Sequence, residues 1–213
     1  MKKTKTILAS FLVLLALASC AKKENKAEDS SSGHHHQTAD VNGEQYAMKV
    51  NNGTIKNDTL KGSPERTAMG FVDGSHIHIE YSSPGTRGRV IWGGLVPLDH
   101  LWVTGAHSAT RISFSKDVNI NSKRIKAGEY AFFTIPGKES WTLIFNTKAR
   151  QHLTDDYDQK DDALRLEVTP EKLAQPVQRL TYRVKELSQR EGTVSMEWEY
   201  LKISFSITPA DAK

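Results

Sequence analysis

Apolar residues in most of this chain recur at every second position, which is the spacing of a β-strand with one buried face. The clearest example is residues 76–82, where His, Ile, His, Ile, Glu, Tyr and Ser alternate polar with apolar or aromatic side chains. Short β-branched or aromatic runs predict further strands at 111–114, 129–135, 141–146, 164–168, 180–187, 193–200 and 201–207. The last two form one long stretch, in which a shift of the apolar pattern predicts a bulge or bend near residues 199–202.

Turn sequences such as Ser83-Pro84-Gly85 and Pro136-Gly137 separate these strands. Many short strands with regular turns predict an all-β fold, an antiparallel β-sandwich or a barrel-like domain, with at most one short helix. Helical periodicity is scarce. A single helical turn is predicted at residues 170–173, with Thr169 as the N-cap and Pro170 at the first helical position.

The amino terminus has a different pattern. Three lysines among the first five residues precede an apolar run over residues 7–17, which is too short to span a membrane and ends in Leu17-Ala18-Ser19-Cys20. This pattern is typical of a lipoprotein signal. We expect residues 1–19 to be removed and Cys20 to be lipidated, which would anchor the protein in the bacterial cell envelope, outside the cytoplasm. Ala21, in place of an acidic residue, favours the outer membrane.

Residues 20–45 are mostly charged, small or histidine, with too few large apolar side chains to form a core. They predict a flexible tether, and residues 46–213 predict a single β-rich domain.

Composition excludes several classes of function. Of the 29 basic residues, three are lost with the signal, which leaves 26 against 25 acidic residues and gives no support for nucleic-acid binding. Because the only cysteine is assigned to the anchor, we expect no disulfide, thiol nucleophile or thiolate-bound metal in the mature domain.

Histidines and one carboxylate form the most specific chemical pattern. His76, His78 and Glu80 would project from one face of a strand, and His107 in the following TGAH turn could join them to bind a divalent metal. The alternative is that Ile77 and its alternating neighbours face the core while these polar side chains face water.

Enzyme signatures are otherwise weak, and the sequence leans against catalysis. Ser108 follows His107 directly, but adjacent residues rarely form a nucleophile and its base, and no GxSxG nucleophile elbow occurs. Carboxylates at 155–162 predict a solvated acidic loop, in which Asp162 and Arg165 are a possible structural pair. The four tryptophans could line a sugar-binding groove, but in alternating strands they favour core packing.

The order of motifs across the predicted domain is distinctive. The segment 87–110 reads RGRVIWGGLVPLDHLWVTGAHSAT, preceded by Ser63-Pro64 and followed by AGEYAFFTIPG and WTLIFN. This order resembles the bacterial family of domain of unknown function 2911. The further matching positions are Tyr81 with Pro84, Tyr157, Asp162, Leu164-Arg165 and Glu197-Trp198.

The resemblance implies an exported, membrane-associated β domain, and it supplies no catalytic residue. The family often has an arginine and an asparagine where this chain has Val103 and His107.

The sequence therefore predicts an envelope lipoprotein whose domain is a non-catalytic module for a small molecule, a glycan or an envelope protein. Two alternatives stay open: a metal-binding protein or metal-dependent enzyme using the histidine set, and a structural component of an envelope assembly.

Overall fold

The computed structural model describes residues 41–210. The predicted signal sequence (1–19), the predicted lipidation site Cys20 and the predicted tether up to residue 40 lie outside the described residues. Within residues 41–210, no helix is both long and apolar enough to cross a bilayer.

Ten antiparallel strands and one α-helix make up the described chain. The helix, α1, spans Val41–Asn51, and a single 3₁₀ turn spans Gln159–Asp161. The strands are β1 Glu65–Val72, β2 Ser75–Ser82, β3 Thr110–Phe114, β4 Val118–Ile120, β5 Lys123–Ile125, β6 Gly128–Pro136, β7 Trp141–Asn146, β8 Asp162–Val168, β9 Glu171–Ser188 and β10 Glu191–Pro209.

The strands form two sheets. The larger has the order β1-β2-β3-β6-β7-β8 and the smaller has the order β5-β4-β10-β9. One core of buried side chains takes residues from both sheets, among them Ile77 and Phe145 from the larger and Trp198 and Phe205 from the smaller. The predicted all-β antiparallel sandwich is confirmed.

The buried apolar positions of strand β10 change from even-numbered to odd-numbered residues halfway along the strand. Val194, Met196 and Trp198 are buried in its first half, and Ile203, Phe205 and Ile207 are buried in its second half. Between them Glu199 has a φ of 54°, and the pairing with β9 shifts on both sides of it. The bulge predicted near residues 199–202 is confirmed, and it lets one 19-residue strand serve the core along its whole length.

Two expectations about helices and tether were wrong. Residues 171–173 are not helical but begin β9, where Glu171 pairs with Lys202 and Lys172 with Leu201 of β10. The α-helix instead lies at Val41–Asn51, so residues 41–45, predicted as flexible tether, are helical.

Segment 41–62 is fastened to the sandwich by two arginines, in a set of contacts that we call the clasp. The carboxylate of Glu44 accepts hydrogen bonds at 2.8 and 2.7 Å from the guanidinium of Arg66, which is 4% exposed. Asp58 lies 2.9 Å from two nitrogens of Arg179, which is fully buried. The side-chain amide of Asn51 donates to the Arg179 carbonyl and accepts from the Arg179 N–H. It thus makes the two hydrogen bonds that the backbone of a neighbouring strand would make. These polar contacts explain how a helix with few apolar residues stays in place.

An outer layer covers half of the larger sheet. Val103 and Ala109, from the segment between β2 and β3, pack on Ala131, Phe133 and Ile144, which face away from the main core. The outer face of β1, β2 and β3 is left open beside this layer, with Met69 and Phe71 more than half exposed.

Candidate binding groove

A groove of about 370 Å³ lies where the open half of the larger sheet meets the outer layer. Its floor comes from the first residues of β1, the last residues of β2 and Arg111 of β3. Its wall comes from residues 108–109 and 150–152. The volume falls near the lower end of the range for small-molecule pockets, about 300–1,000 Å³.

The wall is held by pairing between two segments that are distant in the chain. The Ala109 N–H donates to the Gln151 carbonyl at 3.0 Å, and the Leu153 N–H donates to the His107 carbonyl at 2.8 Å. Ser108 and His152 face each other in an antiparallel bridge. The Gln151 side chain, 4% exposed, donates to Asn146 and to the Lys148 carbonyl, which fixes the second segment against β7. The groove is thus preformed on both sides.

Charged side chains of alternating sign run from the floor to the wall. Glu80 of β2 forms a close ion pair with Arg111 of β3, its partner in the strand pairing. Arg111 also binds Glu129 at 2.9 Å, and Arg150 lies 3.8 Å from the same carboxylate. The Arg150 side chain is 74% exposed, whereas that of Arg111 is 21% exposed. Arg150 therefore presents a largely accessible guanidinium at the wall.

A third arginine, Arg66, belongs to the floor strand β1, but its side chain points to the core face of the sheet together with that of Tyr81. The Arg66 guanidinium is held by Glu44, donates to the Thr181 hydroxyl of β9 and lies 5.6 Å from the centre of the Tyr81 ring. Burial raises the pKa of Tyr81 to about 12, and the charge of Arg66 opposes this shift. Tyr81 is therefore a neutral phenol at neutral pH.

The predicted metal-binding residues lie in two places, on strand β2 and in the turn at His107. His76, His78 and Glu80 alternate with buried Ile77, Ile79 and Tyr81 along β2, so the predicted alternation is confirmed. His78 Nε2 lies 3.4 Å from Glu80 Oε1, but the Glu80 carboxylate also engages Arg111. His107 is an exposed turn residue with a φ of 64°. Among residues 41–210, no three or more His, Cys, Asp or Glu side chains converge as a metal-binding group.

Two other predictions concern residues outside the groove lining. Asp162 and Arg165 do form an ion pair, at 2.8 Å, and both contact the Tyr157 hydroxyl at 2.8 Å. The tryptophans do not line the groove. Their rings pack together with centroids 4.8 to 6.3 Å apart, and Trp141 and Trp198 are 1% exposed, so they belong to the core.

Several groove residues were missed by sequence reasoning. Glu80 was predicted as a site residue, but as a metal ligand together with histidines, whereas in the structure it forms an ion pair with Arg111. Arg111 sits at an outward position of a predicted strand, which is a detectable but unspecific signal. Arg150 and His152 lie in a polar loop that has no local pattern, because their position depends on pairing with residues more than 40 positions earlier.

Comparison with known proteins gives a family and no function. No curated protein and no solved structure matches this chain. One family model, described as a protein of unknown function, DUF2911, matches residues 63–207. This range begins just after the clasp segment and includes every residue of the groove floor and wall. The chain therefore belongs to the DUF2911 family, as the order of its motifs indicated.

Proposed function

We propose that this protein is an envelope lipoprotein, anchored through Cys20, whose β-sandwich is a non-catalytic module that binds a small polar ligand in the groove. The observation that carries the proposal is the groove itself, in which accessible charged and hydrogen-bonding side chains line a preformed concave surface of suitable size.

Rigidity supports a binding role. The floor is strand backbone within a six-stranded sheet, and the wall is joined to that sheet through paired backbone groups and the Gln151 side chain. A ligand entering such a site orders little additional chain, and therefore retains more of its interaction energy as affinity.

The groove's polar groups also fit binding better than catalysis. Arg111, Glu80 and Glu129 are engaged with one another in ion pairs. Ser108 and His152 are neighbours through their backbones, but within residues 41–210 no hydrogen bond joins the Ser108 hydroxyl to a histidine ring. A lipid anchor would add to capture by raising the concentration of binding sites at the membrane surface.

A ligand screen tests the binding role. The mature chain, unlipidated through Cys20→Ala, is surveyed by thermal shift and two-dimensional NMR against a library of small carboxylates, amines, amino acids and sugars. We expect at least one class to shift resonances of residues 65–67, 80–82 and 108–111, and Arg150→Ala to weaken that binding at least tenfold. Arg190→Ala, an exposed arginine in the β9–β10 turn, is the matched control and should bind like the unaltered chain. Shifts confined to other surfaces, or no binding at all, would reject the groove as the site.

Anchoring is tested in the native cells. Metabolic labelling with a radioactive fatty acid should mark the protein and place it in the membrane fraction, and Cys20→Ser should remove both the label and the membrane association. Retention of the label by Cys20→Ser would reject Cys20 as the lipidated residue.

A further inference from the structure

The charges around the groove are nearly balanced. Two guanidiniums line it, those of Arg111 and Arg150. Three carboxylates lie with them: Glu65 and Glu80 in the lining, and Glu129 against Arg111 and Arg150. A simple anion that approached the arginines would also meet these carboxylates. A simple cation that approached the carboxylates would also meet the arginines. Neither is favoured by the net charge.

The two signs are nevertheless separated in space. The carboxylates of the lining belong to the sheet, since Glu65 begins β1 and Glu80 lies in β2. The most accessible guanidinium belongs to the wall, since Arg150 is 74% exposed while Arg111 is 21% exposed and held by Glu80 and Glu129. The groove thus has an acidic side on the sheet and a basic side on the loop. A molecule that carries both signs complements it best.

We infer that the groove recognises a zwitterion of the amino-acid type, with its ammonium group at Glu80 and its carboxylate at Arg150. This inference rests on the proposed function and names the ligand class of the same site. Glu80 remains able to accept an ammonium donor beside Arg111, because a carboxylate offers about four acceptor positions. Arg150 can bind a carboxylate through two parallel hydrogen bonds.

Other groups in the lining suit the polar atoms of such a ligand. Thr67 and Ser82 on the floor and Ser108 on the wall provide hydroxyl groups, each of which donates or accepts. The small volume of the groove suits a free amino acid or the ends of a short peptide, two sources that share the same ammonium and carboxylate chemistry.

Calorimetric titration of the unlipidated mature chain tests this inference. The probes are the twenty common L-amino acids, L-alanyl-L-alanine and, for the tightest-binding amino acid, its N-acetyl and carboxamide derivatives, each of which removes one charge. We expect at least one zwitterion to bind and each blocked derivative to bind at least tenfold more weakly. Arg150→Ala should weaken binding of the zwitterion and leave the affinity for the carboxamide, which has no carboxylate, nearly unchanged. Glu80→Gln should also weaken binding of the zwitterion, but it should leave the affinity for the N-acetyl derivative, which has no ammonium group, nearly unchanged. Arg190→Ala should match the unaltered chain.

The outcomes separate this inference from the proposed function. If N-acetyl and free amino acids bind equally well, or if no zwitterion binds while another library compound occupies the groove, the zwitterion assignment is overturned and the binding role stands. If nothing in the wider library binds, both are overturned. Tighter binding of the dipeptide than of every free amino acid assigns the ligand to peptide ends, and the reverse order assigns it to free amino acids.

Discussion

The clasp and the groove use the same pair of chemical groups, guanidinium and carboxylate, in opposite surroundings. In the clasp, Arg179 is fully buried and Asp58 is 8% exposed, and further hydrogen bonds from Arg179 reach the carbonyls of Leu60 and Ser83. In the groove, Arg150 is 74% exposed and lies 3.8 Å from a carboxylate that is itself 39% exposed.

The difference separates stability from availability. A buried pair cannot lose one partner without leaving a charge in a medium of low polarity, so the clasp fixes segment 41–62 to the sandwich. An exposed pair exchanges readily with water, so the groove charges contribute little to folding and remain accessible to a ligand. The pair of Arg66 and Glu44 lies between the two cases, because the arginine is 4% exposed while its acid is 29% exposed.

Removing the buried acid should have the largest effect. Asp58→Ala leaves Arg179 charged, buried and without its carboxylate, and we expect a loss of about 3–5 kcal/mol in the free energy of unfolding. Urea unfolding followed by tryptophan fluorescence measures it. Asp155→Ala, in the exposed loop after β7, is the matched control and should change stability by less than about 0.5 kcal/mol. Similar values for the two variants would contradict the structural role of the clasp.

Removing Glu44, the partly exposed acid of the clasp, should have an intermediate effect on the free energy of unfolding. Glu44 is 29% exposed, so Glu44→Ala should cost about 1.5–3 kcal/mol, the range for hydrogen bonds to charged groups. Glu129→Ala, which removes the shared acid of the groove, should cost less than about 1 kcal/mol. The same unfolding experiment compares the two variants. A larger loss of stability for Glu129→Ala than for Glu44→Ala would contradict the greater contribution of the clasp to folding.

The amide of Asn51 tests the uncharged part of the clasp. Asn51→Ala removes both bonds to the Arg179 backbone and should destabilise the protein by about 1–2 kcal/mol. Hydrogen exchange of the Arg179 amide should accelerate in the same variant. Asn51→Asp keeps the acceptor for that amide and serves as its control, so its exchange should stay slower than in Asn51→Ala.

Alkaline pH should reveal an effect that is absent at neutral pH. The folded-state pKa of Tyr81 is raised to about 12 by burial, above the unfolded value near 10. Between these values the unfolded chain loses the phenol proton first, so stability falls as pH rises from about 10 to about 12 and is unaffected below this window. Tyr81→Phe should make this fall shallower in unfolding experiments at pH 9 to 11.5. An equally steep fall in Tyr81→Phe would assign the effect to other groups.

Sequence reasoning succeeded where the structural signal is local. Residues 141–146 were predicted and found as a strand, and the alternation along β2 was found with its polar residues outward, because a period of two is visible in the sequence. It failed at residues 170–173, where Thr169 and Pro170 resemble a helix start but pairing with β10 determines the conformation. It also missed α1, whose position depends on Arg66 and Arg179 elsewhere in the chain.

The groove shows the same limit. Glu80 was found because it alternates within a strand, whereas its partner Arg111 depends on the register between β2 and β3. Arg150 becomes a wall residue only because the chain after β7 pairs with residues 107–109. Such contacts join distant parts of the chain and leave no periodic trace.

The bulge at Glu199 also bears on how this chain tolerates insertions and deletions. Because side chains alternate with a period of two, Val194, Met196 and Trp198 at even positions and Ile203, Phe205 and Ile207 at odd positions can all face the core only with the bulge at Glu199 between them. If β10 kept Glu199 but ran through it without the bulge, the second set would turn towards solvent. One position in β10 thus sets the parity of everything that follows it. One residue inserted between the bulge and Ile203 would therefore turn the whole second half of the strand to the opposite face, whereas a change of length in an exposed turn such as that at Arg190 would remain local.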